Sequence, residues 1–150
     1  MVLCVAALAS CTNVKREKEL TARNDSLTVA LNEKNVALDQ AMQAIADIQE
    51  GFRVINEAEG RVAIQSQGAE GITDAQRLKE DILFIQQKMA DNRKQIEDLQ
   101  KKLKAGGSET ANLRKVLANL QKELEAKVAS IASLQSDLAR KNIRIAELDS

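Results

Sequence analysis

Residues 113–138 carry the pattern that decides the fold, and they read LRKVLANLQKELEAKVASIASLQSDL. Leucine and isoleucine recur here at spacings of three and four, which is the seven-residue repeat abcdefg of a coiled coil with apolar a and d positions. The a and d positions are Leu113, Leu117, Leu120, Leu124, Lys127, Ile131, Leu134 and Leu138, and all of them except Lys127 are apolar. Because a strict repeat of seven imposes a left-handed supercoil, this stretch predicts paired helices rather than one straight helix.

Two earlier stretches continue the repeat toward the amino terminus. From residue 20 the a and d positions are Leu20, Asn24, Leu27, Leu31, Lys34, Leu38, Ala41, Ile45, Ile48, Phe52 and Ile55. From residue 75 they are Ala75, Leu78, Ile82, Ile85, Met89, Asn92, Ile96, Leu99 and Leu103. About half of all residues are Ala, Glu, Lys, Leu or Arg, which is typical of long helices. We therefore predict an all-α fold of long coiled-coil helices, an elongated rod or a helical hairpin, without a globular core.

Glycines divide the predicted helices into segments. The repeat over residues 20–64 and the repeat over residues 74–150 differ in phase by two residues, which a continuous coiled coil does not absorb, so we expect a break over residues 65–73. Thr73 and Gln76 have the spacing of a capping box at the start of the second segment. Gly106 and Gly107 interrupt that segment without changing its phase, which predicts a soft joint in one rod, with Ser108 available as a cap, rather than a turn.

The apolar seam requires a partner helix, because an isolated helix is only marginally stable in water. Leucine dominates the last d positions while leucine and isoleucine share the a positions, which favours two strands. A parallel homodimer is the first expectation. The alternative is intramolecular pairing, in which the chain folds back at residues 65–73.

Composition and charge argue against several functional classes. The chain has no His, no Trp and no Tyr, and its 22 basic residues balance 22 acidic ones. General acid–base catalysis and metal binding most often use histidine, and nucleic-acid binding usually needs a basic excess with aromatic side chains. We therefore expect no enzyme activity, cofactor, metal or small-molecule substrate, and no nucleic-acid partner.

The amino-terminal residues differ from the rest of the chain. Residues 1–10 are apolar and uncharged, and Cys11 begins an abruptly polar region. Ten residues are too few to span a bilayer as a helix, but they match the apolar region of a secretory signal peptide.

Leu8-Ala9-Ser10-Cys11 resembles the lipobox of bacterial lipoproteins. The resemblance implies that residues 1–10, with Cys4, are removed and that Cys11 becomes the lipidated first residue. Leu8, Ala9 and Ser10 would then be recognised by the signal peptidase. The sequence departs from that family's pattern in having no Lys or Arg before the apolar run. Residues 11–19 are expected to be the lipidated cysteine and a flexible tether, because residues 12–19 lack apolar periodicity.

The remainder resembles the coiled-coil stalk of uncharacterised envelope lipoproteins of the Bacteroidota type. This resemblance rests on residues 48–59, IQEGFRVINEAE, and residues 141–148, KNIRIAEL. Such proteins often carry a further domain, and the heptads run on to Ser150, so a fragment of a longer protein is one expectation. Asp25-Ser26-Leu27 is similar to the O-glycosylation acceptor of the same bacteria, with Ser26 as the acceptor.

These resemblances imply a structural spacer or interaction scaffold in the bacterial cell envelope. It would be held by Cys11 in the outer membrane, facing the periplasm, and would bind an envelope protein that the sequence does not identify. The alternative is a cytoplasmic coiled-coil scaffold that resembles chromosome-segregation or cytoskeletal rods.

Overall fold

The computed structural model describes residues 5–68, 72–107 and 110–140, and within them the side chains of residues 13–66, 76–107 and 110–140. The described residues form three helices, α1 (Val5–Gly68), α2 (Ile72–Ala105) and α3 (Ala111–Arg140). No strand occurs among them, so the all-α prediction is confirmed. The chain divides into two compact units, Met1–Gln40 and Ala41–Ser150.

In the first unit, α1 already includes the residues for which the sequence predicted a flexible tether. Residues 12–19 are helical, so that prediction is wrong. Lys, Arg and Glu all favour helix, and neither Gly nor Pro interrupts the run. Arg23 also forms an i,i+4 ion pair with Glu19 at 3.1 Å. Apolar periodicity indicates which face of a helix is covered, and its absence does not by itself prevent a helix.

In the second unit, α2 runs antiparallel to α1. Asn92 Nδ2 donates to the backbone oxygen of Ile48 at 3.1 Å, and Arg61 Nη2 lies 2.6 Å from Asp81 Oδ1. Residues 48 and 92 would stand about 66 Å apart in one straight helix at ~1.5 Å per residue. The chain therefore folds back between α1 and α2, which is the alternative that the sequence left open beside the parallel homodimer. Helix α1 extends to Gly68 and α2 begins at Ile72, so helical residues reach into both ends of the predicted break over residues 65–73.

The glycines at positions 106 and 107 form a turn, which contradicts the prediction of a soft joint in one rod. Helix α2 ends at Ala105, and α3 packs against it. Gly107 has a φ of 59°, the left-handed conformation that commonly follows a helix end and that glycine adopts without a Cβ penalty. Ile96 and Leu124 line the same groove, whereas in a continuous rod they would be about 42 Å apart at ~1.5 Å per residue.

A threonine caps the start of α3. The Thr110 hydroxyl accepts a hydrogen bond from the backbone N–H of Leu113 at 3.2 Å, and the Arg114 N–H donates to the Thr110 carbonyl at 3.0 Å. This arrangement satisfies a backbone donor that the first turn of a helix leaves without a partner. The cap expected at Ser108 and the side chain of Thr73 lie outside the described residues. Helix α2 begins at Ile72, two residues before the predicted start at residue 74, so the backbone of Thr73 lies within the helix rather than before it.

The buried residues of the second unit form one apolar cluster along the seam. Its members are Ala41, Ile45, Ile48, Phe52, Ile55, Ala58 and Val62 in α1, Leu78, Ile82, Ile85, Ile96, Leu99 and Leu103 in α2, and Leu113, Leu117, Leu120, Leu124, Ile131 and Leu138 in α3. Most of them occupy predicted a or d positions. The core is therefore the coiled-coil seam, and the helices that cover it belong to the same chain.

Candidate functional site

The predicted seam has two different environments in the structure. The residues Ile45, Ile82, Ile85, Ile96, Leu99, Leu117, Leu120, Leu124, Ile131 and Leu138 are buried, and Leu134 is partly buried against the same cluster. The seam residues Leu27, Leu31 and Leu38, by contrast, are exposed. The structure thus brings the seam of the second unit together, and it leaves the seam of the first unit uncovered.

The uncovered part is a stripe along α1 that we call the open stripe. It consists of the six successive a and d positions Leu20, Asn24, Leu27, Leu31, Lys34 and Leu38. Its four leucines are 59%, 65%, 63% and 45% exposed in chain order. Contiguous exposed apolar surface commonly marks a site of association with another molecule. The open stripe is therefore the candidate functional site.

Polar groups elsewhere in the molecule fix how α1 and α2 meet. Asn92 is buried, and its amide donates to the Ile48 carbonyl across the interface. A Cβ atom on Gly51 would lie 2.0 Å from Asn92 Oδ1, so only glycine leaves room for this side chain. A single buried Asn can fix the register of a coiled coil, because any slip leaves its amide without a partner.

A second polar contact joins α1 to α3. Lys127 Nζ lies 2.5 Å from Glu59 Oε2, and these side chains are only 19% and 14% exposed. The other carboxylate oxygen, Glu59 Oε1, is buried without a hydrogen-bond partner. The negative charge of the Glu59 carboxylate is therefore compensated by one group, the ammonium of Lys127.

Replacing Lys127 by Met is expected to lower the free energy of unfolding by about 1–3 kcal/mol, because the Glu59 carboxylate loses its partner while it stays largely buried. The double variant with Glu59→Gln should recover part of the loss. A denaturant titration of the four proteins measures the coupling. Coupling indistinguishable from zero would contradict the contact. Arg53→Met, at an exposed ion pair, is the control and should change stability by less than the experimental error.

Ion pairs formed by arginines of α1 shift the pKa of one carboxyl group and of one guanidinium group. The Arg53 guanidinium donates hydrogen bonds to Glu50 and Glu57, and its bond lowers the pKa of the Glu50 carboxyl below the usual value. A hydrogen bond from Arg61 to Asp81 raises the pKa of that guanidinium. These arginines keep their charge under all ordinary conditions, so they stay able to donate hydrogen bonds to their carboxylate partners.

Neither a metal-binding cluster nor a membrane-spanning helix occurs in the described part of the chain. No group of three or more metal-ligating side chains is present among those residues. Within the same residues, no helix has a stretch of the length and apolar character needed to cross a bilayer.

The residues predicted for lipid attachment and glycosylation lie on α1. The backbones of Leu8, Ala9, Ser10 and Cys11 belong to that helix, while their side chains lie outside the described residues. Ser26 is exposed at an outward position of the repeat. Its use as an acceptor stays a prediction.

The sequence assigned no role to four residues that the structure makes important. Gly51 and Ala58 were hidden because small residues weaken the apolar pattern, although the core stripe continues past them to Val62. Thr110 could have been found as a threonine directly before a strong apolar repeat, which is typical of a helix cap. For Asn92, the signal was its place at a d position.

The comparisons with known proteins identify no relative. The chain has no significant match to a protein-family model, a curated protein or a solved structure.

Proposed function

We propose that this chain is a lipid-anchored helical scaffold of a bacterial cell envelope, held at its periplasmic face by Cys11 and associating with other proteins through helix pairing. The open stripe is the observation that carries the scaffold role. Its four leucines share one helix face with only two polar positions between them, and all four are exposed. A helix face of this kind is stabilised by packing against another helix.

The anchoring part of the proposal is supported by Leu8-Ala9-Ser10-Cys11, which lies where an uncharged apolar run gives way to a charged segment. Lipidation at Cys11 would attach the membrane anchor directly to helical backbone, because α1 contains residues 12–19. A lipid chain contributes about 0.8 kcal/mol for each CH₂ that enters the bilayer, and stable anchoring takes more than one chain. The proposed lipidated cysteine meets this requirement, since the lipoprotein resemblance implies a diacylglycerol on its sulfur.

Radiolabelled palmitate incorporation tests the anchor. When the full chain is produced in a bacterium that processes lipoproteins, we expect label on the unchanged protein and on Cys4→Ala, and none on Cys11→Ala. Cys4 and Cys11 are the two cysteines of the chain, so Cys4→Ala is the matched control. Label that survives Cys11→Ala, or an unlabelled parent protein, would sink the lipidation proposal and would favour a scaffold without a lipid anchor.

A further inference from the structure

Two of the six residues in the open stripe are polar. Asn24 occupies an a position and Lys34 occupies a d position, so each would lie inside the seam of any partner helix. A polar seam residue is tolerated when it meets a group that satisfies it, and it is costly when it faces an apolar side chain. The partner must therefore present polar groups at two defined levels.

We infer that the partner is a second copy of this chain, paired antiparallel along the open stripe so that Leu20 faces Leu38, Asn24 faces Lys34 and Leu27 faces Leu31. This inference rests on the proposed scaffold role, whose partner it names, and it does not rest on lipid attachment. Each contact occurs twice in the pair, because an interface between identical copies with twofold symmetry is self-complementary.

The position of Lys34 disfavours a parallel pair. In a parallel pair in register every seam residue faces its own copy, so the two Lys34 ammonium groups would meet in one layer of the seam. Two like charges at close range repel, and the repulsion grows as the surroundings become less polar. The parallel arrangement, which was the first expectation from the sequence, therefore places a charge conflict near the middle of the stripe.

In an antiparallel pair each a position faces a d position, because reversing one helix exchanges their order. With Leu31 opposite Leu27, the remaining layers follow at once and join Leu38 to Leu20 and Asn24 to Lys34. The Asn24 side-chain oxygen can accept a hydrogen bond from the Lys34 ammonium group. Every leucine then meets a leucine, and the two polar residues meet each other.

The neighbouring antiparallel registers lack this match. Sliding one helix by a heptad in one direction places Asn24 opposite Leu27, and sliding it in the other direction places Lys34 opposite Leu31. Either slip leaves a polar group against an apolar side chain, which costs roughly 1–3 kcal/mol by the usual penalty for an unsatisfied buried group. The polar layer thus selects one register among the three.

The charges along the helix favour the same orientation. Residues 13–23 carry four basic and two acidic residues, whereas residues 24–40 carry one basic and three acidic residues. In the inferred register residues 18–23 lie level with residues 35–40, so the basic residues Lys18 and Arg23 face a stretch whose one charged residue is Asp39, whereas a parallel pair places each basic residue beside its own copy. Charges on exposed surfaces are screened over about 8 Å at physiological salt, so the contribution is moderate and should weaken as salt is added.

Disulfide trapping in a background of Cys4→Ser and Cys11→Ser tests the orientation. One preparation carries Leu20→Cys and the other carries Leu38→Cys, and each is oxidised alone and after mixing. The inference predicts linked dimers in the mixture, because positions 20 and 38 face each other. Each variant alone should give almost none, since two copies of position 20 would be about 27 Å apart at ~1.5 Å per residue. Disulfides require Cα atoms within about 7 Å.

Two results would overturn the inference. Efficient linking of either variant alone would show that position 20 or position 38 meets its own copy, as in a parallel pair. Absence of linking in the mixture, whether the cysteine-free chain is monomeric or oligomeric, would show that the open stripe does not pair in this way. Because the background lacks both native cysteines, neither result depends on lipidation at Cys11, which the palmitate experiment tests separately.

A second measurement uses a matched pair of exposed residues. Leu27 lies in the open stripe and Val29 lies on the outer face of the same helix, and both are exposed in the single chain. Leu27→Asp should weaken self-association at least about 30-fold in sedimentation equilibrium, because it buries an unpaired charge. Val29→Asp should change it by less than about threefold. Adding Leu31→Lys to Leu27→Asp should restore association, because these two positions face each other in the antiparallel register. Equal effects of Leu27→Asp and Val29→Asp on self-association would contradict the inference.

Discussion

Replacing Ile55 by Ala should lower the free energy of unfolding by about 2–5 kcal/mol, the usual range for deleting most of a fully buried aliphatic side chain. Ile55 is 0% exposed and belongs to the apolar cluster that all three helices share. The loss arises because the removed methyl and methylene groups leave a cavity that the surrounding side chains fill only in part. Urea unfolding followed by helical circular dichroism measures it.

Ile64 is the control for this prediction, because it is the same residue type on the same helix and is 75% exposed. Ile64→Ala should change the free energy of unfolding by less than about 0.5 kcal/mol, as is usual for exposed positions. The difference between the two variants measures the closure of the seam within one chain. Equal effects would contradict the fold-back of α2 onto α1.

Replacing Gly51 by Ala is expected to destabilise the protein by about 1–5 kcal/mol, although alanine is the better helix former. The new Cβ atom would lie 2.0 Å from Asn92 Oδ1. Asn92 is buried and donates to the Ile48 carbonyl, so its side chain can move aside only by giving up that hydrogen bond. The crowding and the unsatisfied amide each cost roughly 1–3 kcal/mol, and the gain in helix propensity offsets only about 1 kcal/mol.

Gly60 offers a control with the opposite sign. A Cβ atom on this residue would have open space around it, and the residue lies inside the same helix. Gly60→Ala should therefore raise the free energy of unfolding by about 0.5–1 kcal/mol, through helix propensity alone. Thermal denaturation of Gly51→Ala and Gly60→Ala shows whether each substitution raises or lowers the stability. Stabilisation by both would show that Asn92 does not occupy the space beside Gly51.

The inferred pairing has a geometric consequence for membrane attachment. In the antiparallel register the two copies are level with each other at residue 29, so the two Cys11 residues lie on opposite sides of that point, about 54 Å apart at ~1.5 Å per residue. Two lipidated copies could then hold their helices along one membrane surface or could connect two surfaces. The disulfide and palmitate experiments together distinguish an anchored antiparallel pair from either property alone.

The sequence by itself determined the helical class of the chain and nearly all of the residues that line the seam, although it missed the helix over residues 12–19. The apolar repeat identifies buried positions such as Ile82, Leu99 and Leu117, because the periodicity of side chains around a helix is a local property. The helix interruptions near Gly68 and Gly106 were visible for the same reason. Glycine weakens a helix whatever surrounds it.

Only the tertiary structure decided where the chain reverses and which part of the seam is covered. The heptad phase continues across Gly106 and Gly107 in a straight rod and in a turn alike, because counting residues carries no information about chain direction. The repeat around Leu27 and the repeat around Ile48 are equivalent in sequence, yet the first is exposed and the second is buried. Burial depends on which helix packs against the seam. Contacts between residues far apart in the chain, such as Asn92 with Ile48, decide which helix that is.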